Sequence, residues 1–404
     1  MKTLVRPTLL ALALTSPTLP ATVHAQSAQP AQQQAVPATP APPAVTHWAR
    51  PAAAELVSYV ERLDAEGLSP AVYGPDRLRA ALNAGDQAAF TRVADDVFLR
   101  LARDLSGGSV RGADRVNWFM APSGIDETEQ RRLLDQAKRG GVARILDGLL
   151  PTHPQYVGLR RALANPANAE RRDLIRANME RWRWMPRNLG ERHIIVNVPA
   201  FTAAFVENGE VIARHRTVVG ATSTPTPQLS ATAVAVTFNP WWTVPQSIVR
   251  NMRGFNGYQV REANGYRIVR QPPGPGNSLG RVKIEMPNEH AIYLHDTPAQ
   301  HLFSRSVRAF SHGCIRTQGI RDFAARLLES TGEWDRGRID QAIAAGSTVQ
   351  ARLAAPMPVY ISYFTAAATN DGNIVTYTDV YGRDTRIRQA LNRAPSDRAL
   401  ASES

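Results

Sequence analysis

The spacing of apolar residues changes near residue 186, and this change divides the chain. Before it, apolar side chains such as Leu56, Tyr59, Val60 and Leu63 recur every three or four positions, which is typical of amphipathic helices. The pattern predicts a helix from Pro75, a longer one ending at the Gly pair 107–108, and four more at 126–137, 140–149, 154–164 and 168–182. The apolar residues that end this part are expected in its core: Trp182, Trp184 and Met185.

From Arg192 onward the apolar period is two, which is typical of half-buried β-strands. Asn208 and Gly209 lie between two β-rich runs and predict a hairpin turn. The predicted strands cover 193–198, 201–206, 211–219, 231–238, 282–286, 291–294 and 359–364, and helices are predicted at 319–330 and 335–345. Helices followed by mainly antiparallel strands make the expected fold class α+β.

The length and the change of period indicate two domains, at 47–185 and 190–365. Residues 253–281 interrupt the strand pattern with Gly and Pro and are expected to form a small insertion. The helix predicted at 154–164 is followed after four residues by the next one, which leaves no room for a further module there. Residues 366–404 are interpreted as a C-terminal extension.

Residues 1–25 have the features of a secretory signal peptide. Lys2 and Arg6 precede a short apolar segment, and Val23 and Ala25 suit a cleavage site. Residues 26–46, rich in Ala, Gln and Pro, are expected to be a linker. No later stretch is apolar enough to span a bilayer, so we expect an exported protein without a membrane span in its mature chain.

The formal net charge is +12, from 47 Lys and Arg against 35 Asp and Glu. The basic residues are spread along the chain without a dense block. This distribution argues against a nucleic-acid partner and is compatible with a polyanionic partner such as the cell envelope.

The chain has a single cysteine, Cys314, in the stretch Ser311 to Arg316. An exported protein that keeps one unpaired thiol is unusual. Three interpretations are open: a buried inert residue, a zinc ligand together with His295 and His312, or a nucleophile. The spacing of the three residues is not typical of zinc sites, because no second cysteine or His-Glu-x-x-His motif accompanies them.

A nucleophilic thiol needs a base and a group that stabilises an oxyanion. His295 ends a predicted strand and can be held rigidly, while His312 lies only two residues from Cys314, so either could be the base. Gly313 lets backbone N–H groups approach a substrate, and Arg316 could add positive charge. Two adjacent tryptophans, at 241 and 242, either divide between the core and the surface or border a binding cleft.

His295, a fifteen-residue interval and then Ser311-His312-Gly313-Cys314 resemble the signature of the L,D-transpeptidases with a YkuD-type catalytic domain. The segments 239–245, 271–277 and 293–298 are similar to the large YcbB-type subgroup, which has a scaffold domain and a capping subdomain. The resemblance is strong over residues 190–365 and looser in the helical part, through 102–108.

The resemblance implies a β-sandwich catalytic domain in which Cys314 is the nucleophile and His295 the base. It further implies that the backbone carbonyl of Asp296 holds the imidazole, and that the N–H groups of Gly313 and Cys314 form the oxyanion hole with Arg316. The remaining implied site residues support the loop or border the substrate cleft: Ser311, His312, Tyr293, Trp241 and Trp242. The insertion 253–281 would be the cap over the substrate.

The implied activity is periplasmic 3→3 cross-linking of peptidoglycan tetrapeptide stems through a cysteine thioester, with release of D-alanine. Neither a cofactor nor a metal is implied, carbapenems would acylate the cysteine, and other cell-wall synthases are conceivable partners. The same acyl-enzyme could serve an L,D-carboxypeptidase or a lipoprotein-anchoring transpeptidase. A non-catalytic wall-binding scaffold is the alternative from another class. Larger members also carry a peptidoglycan-binding module, for which this chain has no room between the helices predicted at 154–164 and 168–182.

Overall fold

The computed structural model describes residues 47–263, 265–369 and 371–393. The predicted signal peptide and linker, and the last residues of the C-terminal extension, lie outside the described residues. Among the residues described, no helix combines the length and the apolar character needed to cross a bilayer.

The N-terminal half is helical, as its sequence period predicts. Its helices are α1 (Arg50–Glu61), α2 (Pro75–Asn83), α3 (Gln87–Gly107), α4 (Glu127–Arg139), α5 (Val142–Asp147), α6 (Pro154–Ala164) and α7 (Arg172–Trp184), with a two-residue strand β1 (Trp118–Phe119) after α3. A 3₁₀ segment at Pro166–Arg171 joins α6 to α7, so no further module lies between these two helices.

Local sequence sets the ends of these helices. The Asp86 carboxylate accepts a hydrogen bond from Ala89 N–H (2.9 Å) at the start of α3, and Asp126 caps α4 in the same way. The predicted core position of the aromatic residues is confirmed, because Trp182 is stacked between His153 and Phe364 at centroid distances of 4.0 and 4.4 Å. Phe364 belongs to the C-terminal half, so this stack joins the two halves.

The second half is built mainly from β-strands. They are β2 (Arg192–Asn197), β3 (Thr202–Glu207), β4 (Glu210–Gly220), β5 (Gln228–Phe238), β6 (Trp242–Thr243), β7 (Gln259–Ala263), β8 (Tyr266–Gln271), β9 (Val282–Glu285), β10 (Leu294–His295), β11 (Ala309–Ser311), β12 (Ile315–Thr317), β13 (Val349–Ser362), β14 (Ala366–Ala368) and β15 (Ile374–Thr376). The helices of this half are α8 (Gln246–Val249), α9 (Ile320–Leu328), α10 (Arg336–Ala344) and α11 (Asp384–Asn392).

The main sheet closes on itself. Its strand order is β1-β5-β13-β2-β3-β4-β12-β10-β9, and β9 also pairs with β5, so each principal strand has two neighbours. Most pairings are antiparallel, but four are parallel: β10 with β12, β13 with β2, β1 with β5, and β11 with β4. The apolar face of α9 packs against β4, β9 and β13 and helps to form the core of this half. The observed architecture is the predicted α+β class.

The predicted turn between β3 and β4 is confirmed, whereas β13 is longer than predicted. The turn at Asn208 and Gly209 has positive φ at both residues (51° and 81°), as predicted, and β3 and β4 flank it. In contrast, β13 begins ten residues before the predicted start at 359. The early part of this strand is hard to recognise in the sequence because it contains Pro356 and Pro358. A register irregularity between Arg352 and Met357 accommodates these prolines.

A small separate sheet of order β6-β8-β7 forms the predicted insertion. Its own core is Val244, Val249 and Val269. This unit, which we call the cap, runs from 242 to 271. It therefore begins before the predicted 253, because Trp242 pairs with Gln271 on β8. Residues 272–281 return the chain to β9 of the main sheet.

The described part of the C-terminal extension packs on the helical half. The β14–β15 hairpin contacts α6 and α7, and α11 contacts α7. Asp384 at the start of α11 forms a buried ion pair with Arg181 of α7 (N–O distance 2.6 Å), and it also accepts a hydrogen bond from Thr365 Oγ1 at 3.0 Å. The extension is thus part of the structure that joins the two halves.

Replacing Asp384 with Ala should lower the free energy of unfolding by about 3 kcal/mol, because Arg181 would be left buried and unpaired. Chemical denaturation followed by fluorescence measures the change. The matched control is Asp96→Ala, which removes an exposed ion pair with Arg100 and should cost less than about 1 kcal/mol. Equal costs for the two variants would contradict a structural role for the buried pair.

Candidate active site

Two short parallel strands bring the predicted catalytic residues to one face of the sheet. Leu294 of β10 is in register with Ile315 of β12, and His295 is in register with Arg316. Paired residues on neighbouring strands share a face, and successive residues alternate between faces. Leu294 and Ile315 face the core and are fully buried. His295 and Arg316 therefore face the opposite side. Cys314 comes two residues before Arg316 and faces that same side.

His295 is buried, with 4% of its surface exposed. Burial, reinforced by the positive charge of Arg316, lowers the pKa of His295 to about 3. The backbone carbonyls of Asp296 and Leu279 raise this pKa, but by less than burial and Arg316 lower it. Neither makes an aligned hydrogen bond with Nδ1, which has no such partner among the described residues. The imidazole is therefore neutral and can accept a proton.

The Cys314 thiol is unpaired and partly buried. Burial raises its pKa above the ordinary value, while contacts with Tyr293 and the charges of Lys283 and Arg316 oppose that rise. Its Sγ lies 3.6 Å from the carbonyl oxygen of Ala291. A neutral thiol and a neutral imidazole on one face of the sheet suit general-base activation better than a preformed thiolate–imidazolium pair.

Tyr293 connects the thiol to the cap. Its ring lies edge-on to the ring of His295 at a centroid distance of 5.5 Å. Burial raises the pKa of its hydroxyl, and the nearby Cys314 sulfur raises it further, whereas a hydrogen bond from the Trp242 side chain lowers it. Tyr293 thus lies between the thiol and the cap, and Trp242 reaches it from β6.

Sequence reasoning missed an ion pair beside the site. Lys283 Nζ lies 2.7 Å from the Glu285 carboxylate and 4.6 Å from the centroid of the Tyr293 ring, and Lys283 is in register with His295. Thr237 Oγ1 donates to the same carboxylate at 2.7 Å. The alternation of apolar and charged residues from 282 to 285 was a signal that could have placed both charges on the outer face.

The loop before Cys314 has a different hydrogen-bond pattern from the one expected. The Gly313 N–H donates to Ser311 Oγ (3.1 Å), and that hydroxyl donates to the carbonyl of Cys314 (2.5 Å). Because Ser311 Oγ accepts the Gly313 N–H in this structure, the assignment of that N–H to an oxyanion hole stays a prediction. Gly313 is required for another reason: its φ of 113° suits glycine, and a Cβ there would press on Ile292.

Arg316 remains a candidate oxyanion donor together with the N–H of Cys314. Its side chain is half-buried beside the thiol, and its Nε is buried without a hydrogen-bond partner among the residues described. Ser311 supports the loop, in the role that the resemblance implies. His312, in contrast, is exposed to solvent.

The carboxylate of Asp296 has a structural role that the sequence did not indicate. It accepts hydrogen bonds from Arg281 N–H (2.9 Å) and from the Gln300 side chain (3.2 Å). Gly280 passes so close that a Cβ would collide with this carboxylate. Asn277, fully buried, donates to the carbonyls of Pro240 and Pro272 and holds the turn that brings Leu279 against His295.

The two adjacent tryptophans are both half-buried, so the interpretation that places one of them in the main core is wrong. Trp242 packs on the small core of the cap. The ring of Trp241 is covered by the guanidinium of Arg270 at 4.9 Å. Both indoles lie at the junction of cap and main sheet because β6 carries the chain out of the sheet at this point.

A zinc site at His295, His312 and Cys314 has no support in the geometry. Among the described residues, no group of three His, Cys, Asp or Glu side chains is arranged to hold a metal ion. The residues that the structure gathers are instead a thiol, a neutral imidazole, a phenol and two cations.

Comparisons with known proteins match both halves of the chain. Residues 191–359 match the L,D-transpeptidase catalytic domain (YkuD), and residues 45–163 match the Scaffold domain. A Haemophilus influenzae protein named as a candidate L,D-transpeptidase is 32% identical over 226 residues, which are 49% of this chain and 45% of that protein. The match thus spans less than half the length of this relative.

Solved structures with similarity include an L,D-transpeptidase from Mycobacterium smegmatis (17% identity, 43% of this chain and 58% of that chain, TM-score 0.25). Another is an Enterococcus faecium L,D-transpeptidase (12% identity, 44% of this chain and 52% of that chain, TM-score 0.24). The two domain matches occupy the helical half and the β half in the order that the resemblance implies. In this chain, a region that matches the YkuD L,D-transpeptidase catalytic domain therefore follows a region that matches the Scaffold domain.

Proposed function

We propose that the protein is a periplasmic L,D-transpeptidase that forms 3→3 cross-links between peptidoglycan stems through a thioester on Cys314. The observation that carries this proposal is the register of β10 and β12. This register puts His295, Arg316 and Cys314 on one face of the sheet. Tyr293 lies between this face and the cap. The catalytic-domain match supports the reaction class.

Acylation follows from the protonation states of the two groups. The neutral imidazole of His295 takes the proton of the Cys314 thiol as the sulfur attacks the carbonyl between meso-diaminopimelate and the terminal D-alanine. The resulting oxyanion is stabilised by Arg316 and the N–H of Cys314. The amide C–N bond then breaks, His295 returns the proton to the leaving amine, and D-alanine departs.

Transfer repeats these steps in reverse with a second stem. The side-chain amine of the acceptor's diaminopimelate attacks the thioester and gives a proton to His295. The C–S bond breaks, the sulfur regains the proton, and a 3→3 amide remains. The thioester conserves the energy of the cleaved amide, so the chemistry needs no nucleotide.

The side chains around the thiol favour charge that develops on sulfur and oxygen. Burial raises the pKa of Cys314, and the positive charges of Lys283 and Arg316 oppose that rise. Lys283 itself forms an ion pair with Glu285. In a half-buried site such charges act more strongly than in water. They stabilise the negatively charged transition state without ionising the resting thiol.

Incubating the protein with purified disaccharide tetrapeptide tests the reaction itself. We expect cross-linked dimers and free D-alanine, with neither formed by Cys314→Ser. Chromatography with mass spectrometry identifies the products. Tripeptides without dimers would show an L,D-carboxypeptidase, and transfer only to a lipoprotein lysine would show an anchoring enzyme. No product at all, together with binding to peptidoglycan, would show a wall-binding scaffold.

Removing the base should slow acylation far more than removing the exposed histidine. We expect His295→Ala to reduce the rate of carbapenem adduct formation on Cys314 by about 10² to 10⁴-fold. His312→Ala is the matched control and should leave the rate close to that of the parent, since His312 is exposed. Intact-protein mass spectrometry follows the adduct. The reverse order of effects would make His312 the base.

The pH dependence of acylation should reflect the lowered pKa of His295. Because that pKa is about 3 and the pKa of Cys314 is raised, the base stays neutral and the thiol protonated between about pH 5 and pH 8. The rate of carbapenem adduct formation should thus be nearly constant over this range. With a histidine of the ordinary pKa of about 6.5, the rate of adduct formation would fall about 30-fold at pH 5, because most of the base would be protonated. A fall of that size would contradict the assigned protonation state.

A further inference from the structure

The backbone behind Cys314 is held by the segment that follows β4. The N–H of Ala221 donates to the carbonyl of Ser311 at 2.8 Å. The hydroxyl of Thr226 donates to the carbonyl of Gly313 at 2.8 Å and accepts from the N–H of Gly220 at the same distance. Thr226 therefore joins the end of β4 to the residue directly before the nucleophile.

Tyr381, from the C-terminal extension, closes this segment, which we call the support loop (residues 220–226). Its hydroxyl donates to the carbonyl of Gly220 at 2.6 Å and accepts from the N–H of Thr226 at 3.2 Å. The loop is tightly folded, because a Cβ on Gly220 would overlap the carbonyl oxygen of Thr224. One hydroxyl group thus bridges both ends of the loop that supports Gly313.

The position of Tyr381 is itself fixed. Its ring stacks on Tyr363 with centroids 5.6 Å apart. The guanidinium of Arg383, 3% exposed, covers both rings at 4.7 and 4.9 Å, and its Nη2 donates to the carbonyl of Thr226 at 3.3 Å. The next residue, Asp384, pairs with Arg181 of α7. The support loop is thus anchored through the extension to the helical half.

We propose that Tyr381 is a positioning residue for the acylation of Cys314, acting through Thr226 and Gly313. It lies outside residues 191–359, which match the catalytic domain. It contacts none of the reacting atoms. It instead fixes the position of the backbone that carries the thiol. The inference rests on the proposed function, since acylation is one of its measurements.

Tyr381→Phe tests the inference because it removes only the hydroxyl that bridges the support loop. The matched control is Tyr360→Phe, which removes a buried hydroxyl that donates to the carbonyl of Leu189 at 3.2 Å, away from the thiol. We expect the first-order rate of carbapenem acylation to fall about tenfold in Tyr381→Phe only. Noncovalent carbapenem binding and the midpoint of thermal unfolding should match those of the control.

Alkylation by iodoacetamide gives a second, independent measurement, because Cys314 is the single cysteine. Burial raises the pKa of the Cys314 thiol, so a loosened loop should move the midpoint of alkylation to lower pH. Thr226→Val removes the hydroxyl that Gly313 accepts from and should shift the midpoint in the same direction. The double variant with Tyr381→Phe should show less than the sum of the two effects, since both act through one hydrogen-bond network.

Acylation rates and alkylation profiles that are the same in Tyr381→Phe and Tyr360→Phe would overturn the inference. Additive effects in the double variant would also count against it. If carbapenem fails to acylate the parent protein, the proposed function fails, whereas the alkylation profile still decides whether Tyr381 positions the loop.

Discussion

The pairing of two very short strands is the constraint on which the site depends. β10 and β12 are only two and three residues long, yet their parallel register decides which side chains meet. A shift by one residue would turn His295 and Arg316 into the core and bring Leu294 and Ile315 to the solvent face. The fully buried leucine and isoleucine oppose such a shift, because exposing them would cost hydrophobic free energy. Ordinary core packing therefore aligns the proposed catalytic groups.

Much of the architecture could be predicted from periodicity, because most helices and the β3–β4 hairpin have regular amphipathic patterns and clear turn residues. The early part of β13 could not, since its prolines are tolerated only through a register irregularity. The site residues were found through a motif, but their hydrogen bonds were not. The spacing of Ser311 and Gly313 does not say that a serine hydroxyl accepts the glycine N–H. Such contacts depend on the folded backbone.

The electrostatics of the site also lay beyond the sequence. A histidine near a cysteine suggests an ion pair, but burial and Arg316 keep the His295 ring neutral. Lys283 was overlooked because a single lysine on a strand has no motif, and its influence comes from its place opposite His295. The lowered pKa of His295 and the raised pKa of Cys314 thus indicate a neutral imidazole and a protonated thiol in the resting site.

The small strand β1 has a consequence for any attempt to separate the halves. Trp118 and Phe119 belong to the helical half but pair with Gln228 and Leu229 at the beginning of β5. Tyr360 and Phe364 contribute in turn to the core of the helices. A fragment cut near residue 190 would expose an unpaired strand edge and aromatic surface, both of which promote aggregation. The helical half thus covers a strand edge and aromatic surface that the sheet would otherwise expose.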